Sequence, residues 1–194
     1  MRNNTNGYIY YDYHKRSEKE EIIETAWKSV FNWLAVITGV LFIFVFVWSM
    51  FFRVIEVDGT SMQPTLDNGD KVVVYIFNYT PECGDIVVAT SDDDTVLIKR
   101  VVASSGQIVD IDYDSNIISV DSKKINEDYI DSADMNIHDD EIEYPHAVAE
   151  NSLFLMGDNR NSSKDSRSSD IGDIDTESVL GKVVFRISSD YNIY

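Results

Sequence analysis

Residues 84–103 read GDIVVATSDDDTVLIKRVVA. Two β-branched runs, IVVA and VLIKRVVA, flank an acidic polar break. Such runs suit half-buried strands, and SDDD between them has the composition of a turn. The pattern continues outward in both directions. VIEV (54–57), KVVVYIF (71–77), QIVDI (107–111), NIISV (116–120), SLFLMG (152–157) and KVVFRI (182–187) are apolar runs of strand length. DNGD, PECGD, SSG and GDNRNSS punctuate them as turns or loops. No stretch of helical period competes, so residues 53–194 are expected to form a mostly β domain with antiparallel strands, a barrel or sandwich. The segment from about Ser105 to Glu150 is polar and acidic, with DSADMNIHDDEIE at its centre. It reads as a small inserted lobe or a long loop.

Upstream the period changes. From Ser29 to Phe52 run 24 residues without a formal charge, between Lys28 and Arg53. About 20 apolar residues cross a bilayer core as a helix. VLFIFVFVWSMFF (40–52) is apolar on every side, and Trp27, Trp33 and Trp48 lie toward the two ends, where indoles favour the interface. The run is too long for a signal peptide and no small-x-small site follows it. Residues 29–52 are therefore expected to be one transmembrane helix. Arg2, Lys15, Arg16, Lys19 and Lys28 precede it, whereas Arg53 stands alone after it until Lys71. This excess of cations puts residues 1–28 in the cytoplasm and 53–194 outside. NNTNGYIYYDYH looks like a flexible tail, and SEKEEIIETAWKSVF has the spacing to extend the helix inward.

The 194-residue chain has a net charge of −18, carried entirely by the outer segment. A surface that acidic repels phosphate backbones, which argues against nucleic-acid binding and suits a solvated exposed domain. Cys83 is the one cysteine, so no intramolecular disulfide can form, and a small buried residue is expected there. The histidines are His14, His138 and His146. His138 with Asp139, Asp140, Glu141 and Glu143 could hold a cation weakly. No spacing matches a zinc site, though, and DDDT (92–95) lacks the calcium-loop pattern, so no metal is expected. A Ser-His-Asp triad would need a histidine from the acidic lobe, with no serine in a sharp turn nearby.

GTSMQPTL (59–66) offers different chemistry. Gly59 lets another backbone approach, and Pro64 keeps Gln63 out of helix. A serine in such a turn can attack a carbonyl while its own N–H helps hold the oxyanion. It needs a base. Lys99 alternates with Leu97 and Val101 on the face expected to be buried, and burial disfavours an ammonium. A neutral amine there could take the serine proton. The strand pattern alone also allows, and by itself favours, an edge lysine that reaches water along its stem. GDNRNSSKDSR (157–167) reads as a turn with possible Asp165–Arg167 or Asp158–Arg160 pairs, and one of its hydroxyls could orient the lysine.

Three boxes in order, SMQPTL, GDIVVA leading to LIKRVVA, and GDNRNSSKDSR followed by GKVVFRI, stand behind one helix with its N-terminus inside. In this the chain resembles the bacterial type I signal peptidases, membrane-anchored serine proteases that remove signal peptides from exported proteins. The likeness runs from the helix to about Ile187 and is nearest the compact Gram-positive form. It implies Ser61 as nucleophile and Lys99 as general base, with Ser163 hydrogen-bonded to the lysine. It implies that Asp165 and Arg167 brace the site. It also implies that Ile55, Val57, Met62, Leu97 and Ile98 line shallow pockets for the small side chains of an Ala-x-Ala cleavage site. Gly59 stands where some members carry an oxyanion-hole serine. Ser162 replaces a usual asparagine, and SSDIG (168–172) lengthens the end of the last box.

The implied partners are signal-peptide-bearing preproteins and the bilayer, and no cofactor is implied. Nine residues from Phe52 to Ser61 span at most ~30 Å, which keeps the serine near the outer membrane surface. Tethering enzyme and substrate to one membrane raises their effective concentration. Soluble self-cleaving repressors share the Ser/Lys logic without a membrane helix. The histidine-based signal peptidases are disfavoured by a lysine at position 99. A membrane-anchored β domain that only binds a partner is the alternative from another class.

Overall fold

The computed structural model describes residues 5–92, 94–130, 135 and 142–188. His138 and the acids of 139–141 lie outside them. The chain divides into two units, Met1–Ser49 and Met50–Tyr194.

The first unit is helical. One α-helix, α1, covers Thr5–Phe51. Its start at Thr5 corrects the expectation of a flexible tail over the first 14 residues. Nothing in residues 5–14 is a proline, so the spacing that begins at Ser17 continues backward without a break. From Lys19 to Phe51 the helix is long and apolar enough to cross a membrane. Every side chain from Lys19 to Met50 is exposed, including all three tryptophans. Its hydroxyls need no outside partner: Thr38 Oγ1 donates to the Leu34 carbonyl at 2.7 Å and Ser49 Oγ to that of Phe46 at 2.8 Å.

The second unit is antiparallel β. Its strands are β1 (Phe52–Glu56), β2 (Lys71–Tyr75), β3 (Ile86–Thr90), β4 (Val96–Ser104), β5 (Ile108–Asp112), β6 (Ile117–Val120), β7 (Lys123–Lys124), β8 (His146–Ala147), β9 (Ser152–Met156), β10 (Ile174–Asp175) and β11 (Val179–Ile187). Seven form one sheet in the order β1-β2-β11-β3-β4-β9-β10, and four form a second, β7-β6-β5-β8. The second sheet falls within the segment expected as a lobe or long loop.

Alternation sorts the side chains into three cores. Val72 and Val74 of β2 and Val88 of β3 join Val57, Met62 and Leu66. Ile55 and Ile98 pack on this same cluster although three strands separate β1 from β4, so the sheet curls. Val87, Ala89, Val101, Leu153, Leu155 and Ile174 form a second core. The small sheet closes the third, resting Val109, Ile111, Ile118 and Val120 on Val102, Ala103, Phe154 and Met156. Both faces of the β4–β9 ribbon are thus covered. Cys83 differs from expectation: it is exposed, because it sits in the turn that precedes β3 and not in a strand.

Candidate active site

β4 changes partner at Arg100. Residues 96–100 pair with β3 and residues 100–104 with β9, with a register shift between Val101 and Ala103. Lys99, opposite Val87, is the residue just before the switch. Its side chain is 4 % exposed.

The loop between β1 and β2 delivers Ser61. Val57 and Asp70 close its base: Val57 N–H donates to the Asp70 carbonyl and Gly69 N–H to that of Val57, both at 2.8 Å. Gly59 takes φ +94°, a conformation that favours glycine, and its N–H donates to Asn68 Oδ1. Met62 and Leu66 anchor the turn in the core. Arg186 of β11 clasps it from outside, pairing with Asp67 at 2.7 Å and with the buried Asp70 at 2.6 Å, and donating to the Thr65 carbonyl.

Within this frame Lys99 Nζ lies 2.7 Å from Ser61 Oγ. Lys99 makes no ion pair among the described residues. Burial holds its amine below the usual lysine range. The Arg167 charge pushes the same way, against the opposing pull of Asp165 and Asp158. A hydroxyl touching an amine biased toward neutrality can give up its proton to that amine.

The 157–167 segment backs the pair. Burial alone would raise the Asp165 carboxyl. The Arg167 guanidinium and the Gly157 N–H outweigh it and hold that carboxyl below its usual value. Arg167 grips Asp165 through two nitrogens, at 2.8 and 3.0 Å, and also donates to the Arg160 carbonyl. Gly157 admits no side chain, since a Cβ would strike Ser163 Oγ and the Ser61 carbonyl oxygen.

Comparison with known proteins places the chain in a lineage. A family model described as signal peptidase, peptidase S26, matches residues 30–188. Signal peptidase I S of Bacillus subtilis (strain 168) is 32 % identical over 151 residues, covering 72 % of this chain and 79 % of that protein. Signal peptidase IB of Staphylococcus aureus (strain COL) is 31 % identical over 176 residues, covering 82 % and 90 %. The chain belongs to the signal peptidase family, peptidase S26.

As a signal peptidase it is a serine peptidase that acts on signal-peptide-bearing preproteins. A crystal structure of a signal peptidase I from Enterococcus faecalis V583 overlaps it with a TM-score of 0.45 at 26 % identity, over 55 % of this chain and 98 % of that one.

The residues singled out in the sequence fall into groups. Ser61 and Lys99 meet, and Asp165 and Arg167 pair. Ser163 is buried beside Gly157, and no hydrogen bond joins its Oγ to Lys99; the hydroxyl bears instead on the Asp165 carboxyl. Ile55, Val57, Met62 and Ile98 share one cluster, whereas Leu97 points to the other core. The possible Asp158–Arg160 pair does not form. Asp158 instead takes Arg100 through two bonds, at 2.8 and 2.6 Å, and Arg160 pairs with Glu127 at 2.5 Å. Arg100 also donates to the Gly84 carbonyl at 2.7 Å and lies 3.9 Å above the Tyr129 ring. Arg100, Glu127 and Tyr129 carried no signal in the sequence beyond the adjacency of Arg100 to Lys99.

Proposed function

We propose that this protein is a membrane-bound serine endopeptidase that cuts signal peptides from exported preproteins after small residues, with Ser61 as nucleophile and Lys99 as general base. The observation that carries the reading is the 2.7 Å contact between a buried lysine amine and the serine hydroxyl. In the reactive protonation state the hydroxyl donates to the neutral amine. Ser61 Oγ attacks the scissile carbonyl carbon while its proton passes to Lys99 Nζ. The ammonium then protonates the leaving nitrogen, the C–N bond breaks, and the mature protein's new N-terminus departs. Water, deprotonated by the regenerated amine, attacks the acyl ester, and the C–O bond breaks. The ammonium returns its proton to Ser61 Oγ, and the signal peptide leaves as a carboxylic acid that ionises in solvent.

Two edges suit an extended substrate. β1 is the outermost strand of its sheet, and residues 96–99 of β4 pair on one side only. A peptide laid beside them would complete both ladders. Ile55, Val57, Met62 and Ile98 supply an apolar floor near the serine. With Met62 and Val57 already filling the core, that floor leaves room for short side chains, as an Ala-x-Ala site requires. Leu97 shares the Lys99 face of β4 and would meet the substrate there.

Residues 29–52 form the membrane span, 1–28 the cytoplasmic end and 53–194 the outer catalytic domain, with 105–150 as its inserted lobe. The flanking cations support this orientation. The working place is the outer leaflet. Val54 and Phe185, both exposed, align across Val73 on the outer face of the sheet, an apolar row compatible with that setting.

Cleavage of a preprotein by full-length enzyme in vesicles tests the reading. Ser61→Ala and Lys99→Arg should each abolish it, because a guanidinium stays charged where the amine must not. Cleavage retained by Lys99→Arg would remove the lysine from the mechanism. Cleavage retained by Ser61→Ala would remove the serine.

A further inference from the structure

Three hydrogen bonds tie the Ser61 turn to Asp158 and Asn159. Thr65 Oγ1 donates to Asp158 Oδ2 at 2.5 Å, Asn159 N–H to the Ser61 carbonyl at 3.0 Å, and Asn159 Nδ2 to the Thr60 carbonyl at 3.1 Å. The last two bear on catalysis through the peptide plane. In a trans peptide the C=O and the N–H of one unit point in opposite directions. The Thr60 carbonyl shares its unit with the Ser61 N–H, and the Ser61 carbonyl shares its unit with the Met62 N–H. By holding two consecutive carbonyls, Asn159 turns two consecutive N–H groups away from the 157–160 segment.

Those two N–H groups are unoccupied. Neither Ser61 nor Met62 donates its backbone N–H to any group among the described residues, although Met62 is 1 % exposed. Unpaired N–H groups at buried positions are rare in folded proteins. The N–H of buried Met62, next to that of half-buried Ser61 and its hydroxyl, makes a region of positive partial charge that suits an anion. Gly59 contributes no hydroxyl to it, so the main chain supplies the donors.

We infer that Asn159 is a positioning residue for an oxyanion hole built from the main-chain N–H groups of Ser61 and Met62. The inference rests on the acyl-transfer reading of Ser61. When Ser61 Oγ bonds to the scissile carbon, the carbonyl π pair moves onto its oxygen, and the two N–H groups receive that charge. Asn159 touches no reacting atom. It fixes the aim of the donors before the charge appears, so its loss weakens the transition state more than the bound substrate.

The test uses full-length Asn159→Ala and Asn159→Asp enzymes in detergent. The measurements are kcat and KM on a signal peptide substrate, and the affinities of a peptide aldehyde and of its alcohol counterpart. The aldehyde forms a hemiacetal oxyanion on Ser61; the alcohol does not. Either substitution should lower kcat by roughly tenfold to a hundredfold, with KM changed by less than about threefold. Aldehyde affinity should fall by the same factor as kcat, and alcohol affinity should hold. A general loosening of the fold would weaken both inhibitors alike and would overturn the inference. So would variants with unchanged kcat and aldehyde affinity.

A second route leaves every side chain in place: Met62 is replaced by its α-hydroxy acid, so an ester link removes only the N–H. That enzyme should show the same selective loss, and full aldehyde affinity in it would exclude Met62 as a donor. Cleavage surviving in Ser61→Ala would instead sink the underlying reading, which separates the two failures.

Discussion

Lys99 and Arg100 are consecutive cations on opposite faces of β4, and the protein treats them in opposite ways. Both are buried, at 4 % and 9 % exposure, so burial alone does not distinguish them. Partners do. Arg100 has two bonds to Asp158, one to a carbonyl and an aromatic ring beneath it. Burial works against its charge, but Asp158 prevails and raises its pKa further above the usual value. Lys99 has one neutral hydroxyl, and burial prevails there instead. A buried cation given a carboxylate is held charged as a strut, and one denied a carboxylate is biased toward the neutral form that the proposed base requires.

Substituting methionine at each position sharpens this contrast most. Lys99→Met should lose cleavage by roughly 10²-fold or more while folding as well as wild type, because an amine without a counter-charge gives way to an apolar chain of similar length. Arg100→Met should lose about 3–5 kcal/mol of stability by chemical denaturation, because it leaves the Asp158 carboxylate buried alone. Equal stability losses in the two variants would erase the distinction. The pH dependence has a definite sign. Lys99 titrates lower in the folded protein than the ~10.4 of an unfolded lysine, so unfolding takes up a proton between the two values. Stability should rise with pH across that window, and Lys99→Met should remove that part of the slope.

A smaller effect is expected at Gly157, which packs against Ser163 and the Ser61 carbonyl. A methyl group there would press on Ser163 Oγ and the Ser61 carbonyl. Gly157→Ala should cost about 1–3 kcal/mol in thermal unfolding and separate Ser61 from Lys99, with a loss in kcat exceeding any change in KM. Smallest is Gly59→Ser. A Cβ there meets open space, but φ +94° strains any L-residue, so a stability loss of about 1–2 kcal/mol is expected. An unchanged melting temperature would show that the turn relaxes freely.

Much of this was legible in the chain because it depends on neighbours in sequence. Charge-free length made the apolar helix visible, and turn compositions between β-branched runs gave away the strands. Period-two alternation put Lys99 on a buried face beside Val101, which is also buried. Leu97 and Ile98 fall on opposite faces by alternation alone, so the separate cores they join were legible in the strand period. What escaped depends on residues far apart in sequence. Asp158 finds Arg100 across 58 positions, where a reader of the turn sees Arg160 two residues away. The Ser163 hydroxyl is an orientation of one rotor, which no pattern encodes. Asn159 acts through two carbonyls almost a hundred residues away, and only the fold brings them together.

The central proposal is that burial lowers the amine at position 99 enough to let it serve as a base, while its neighbour stays charged. NMR titration of the full-length protein carrying ¹³Cε-labelled lysine tests this directly, with the Lys99→Arg spectrum assigning the resonance. That signal should titrate well below the ~10.4 of an exposed lysine, together with the rising limb of cleavage against pH. A Lys99 resonance that titrates at or above the ordinary value, with activity rising at some other pH, would contradict it.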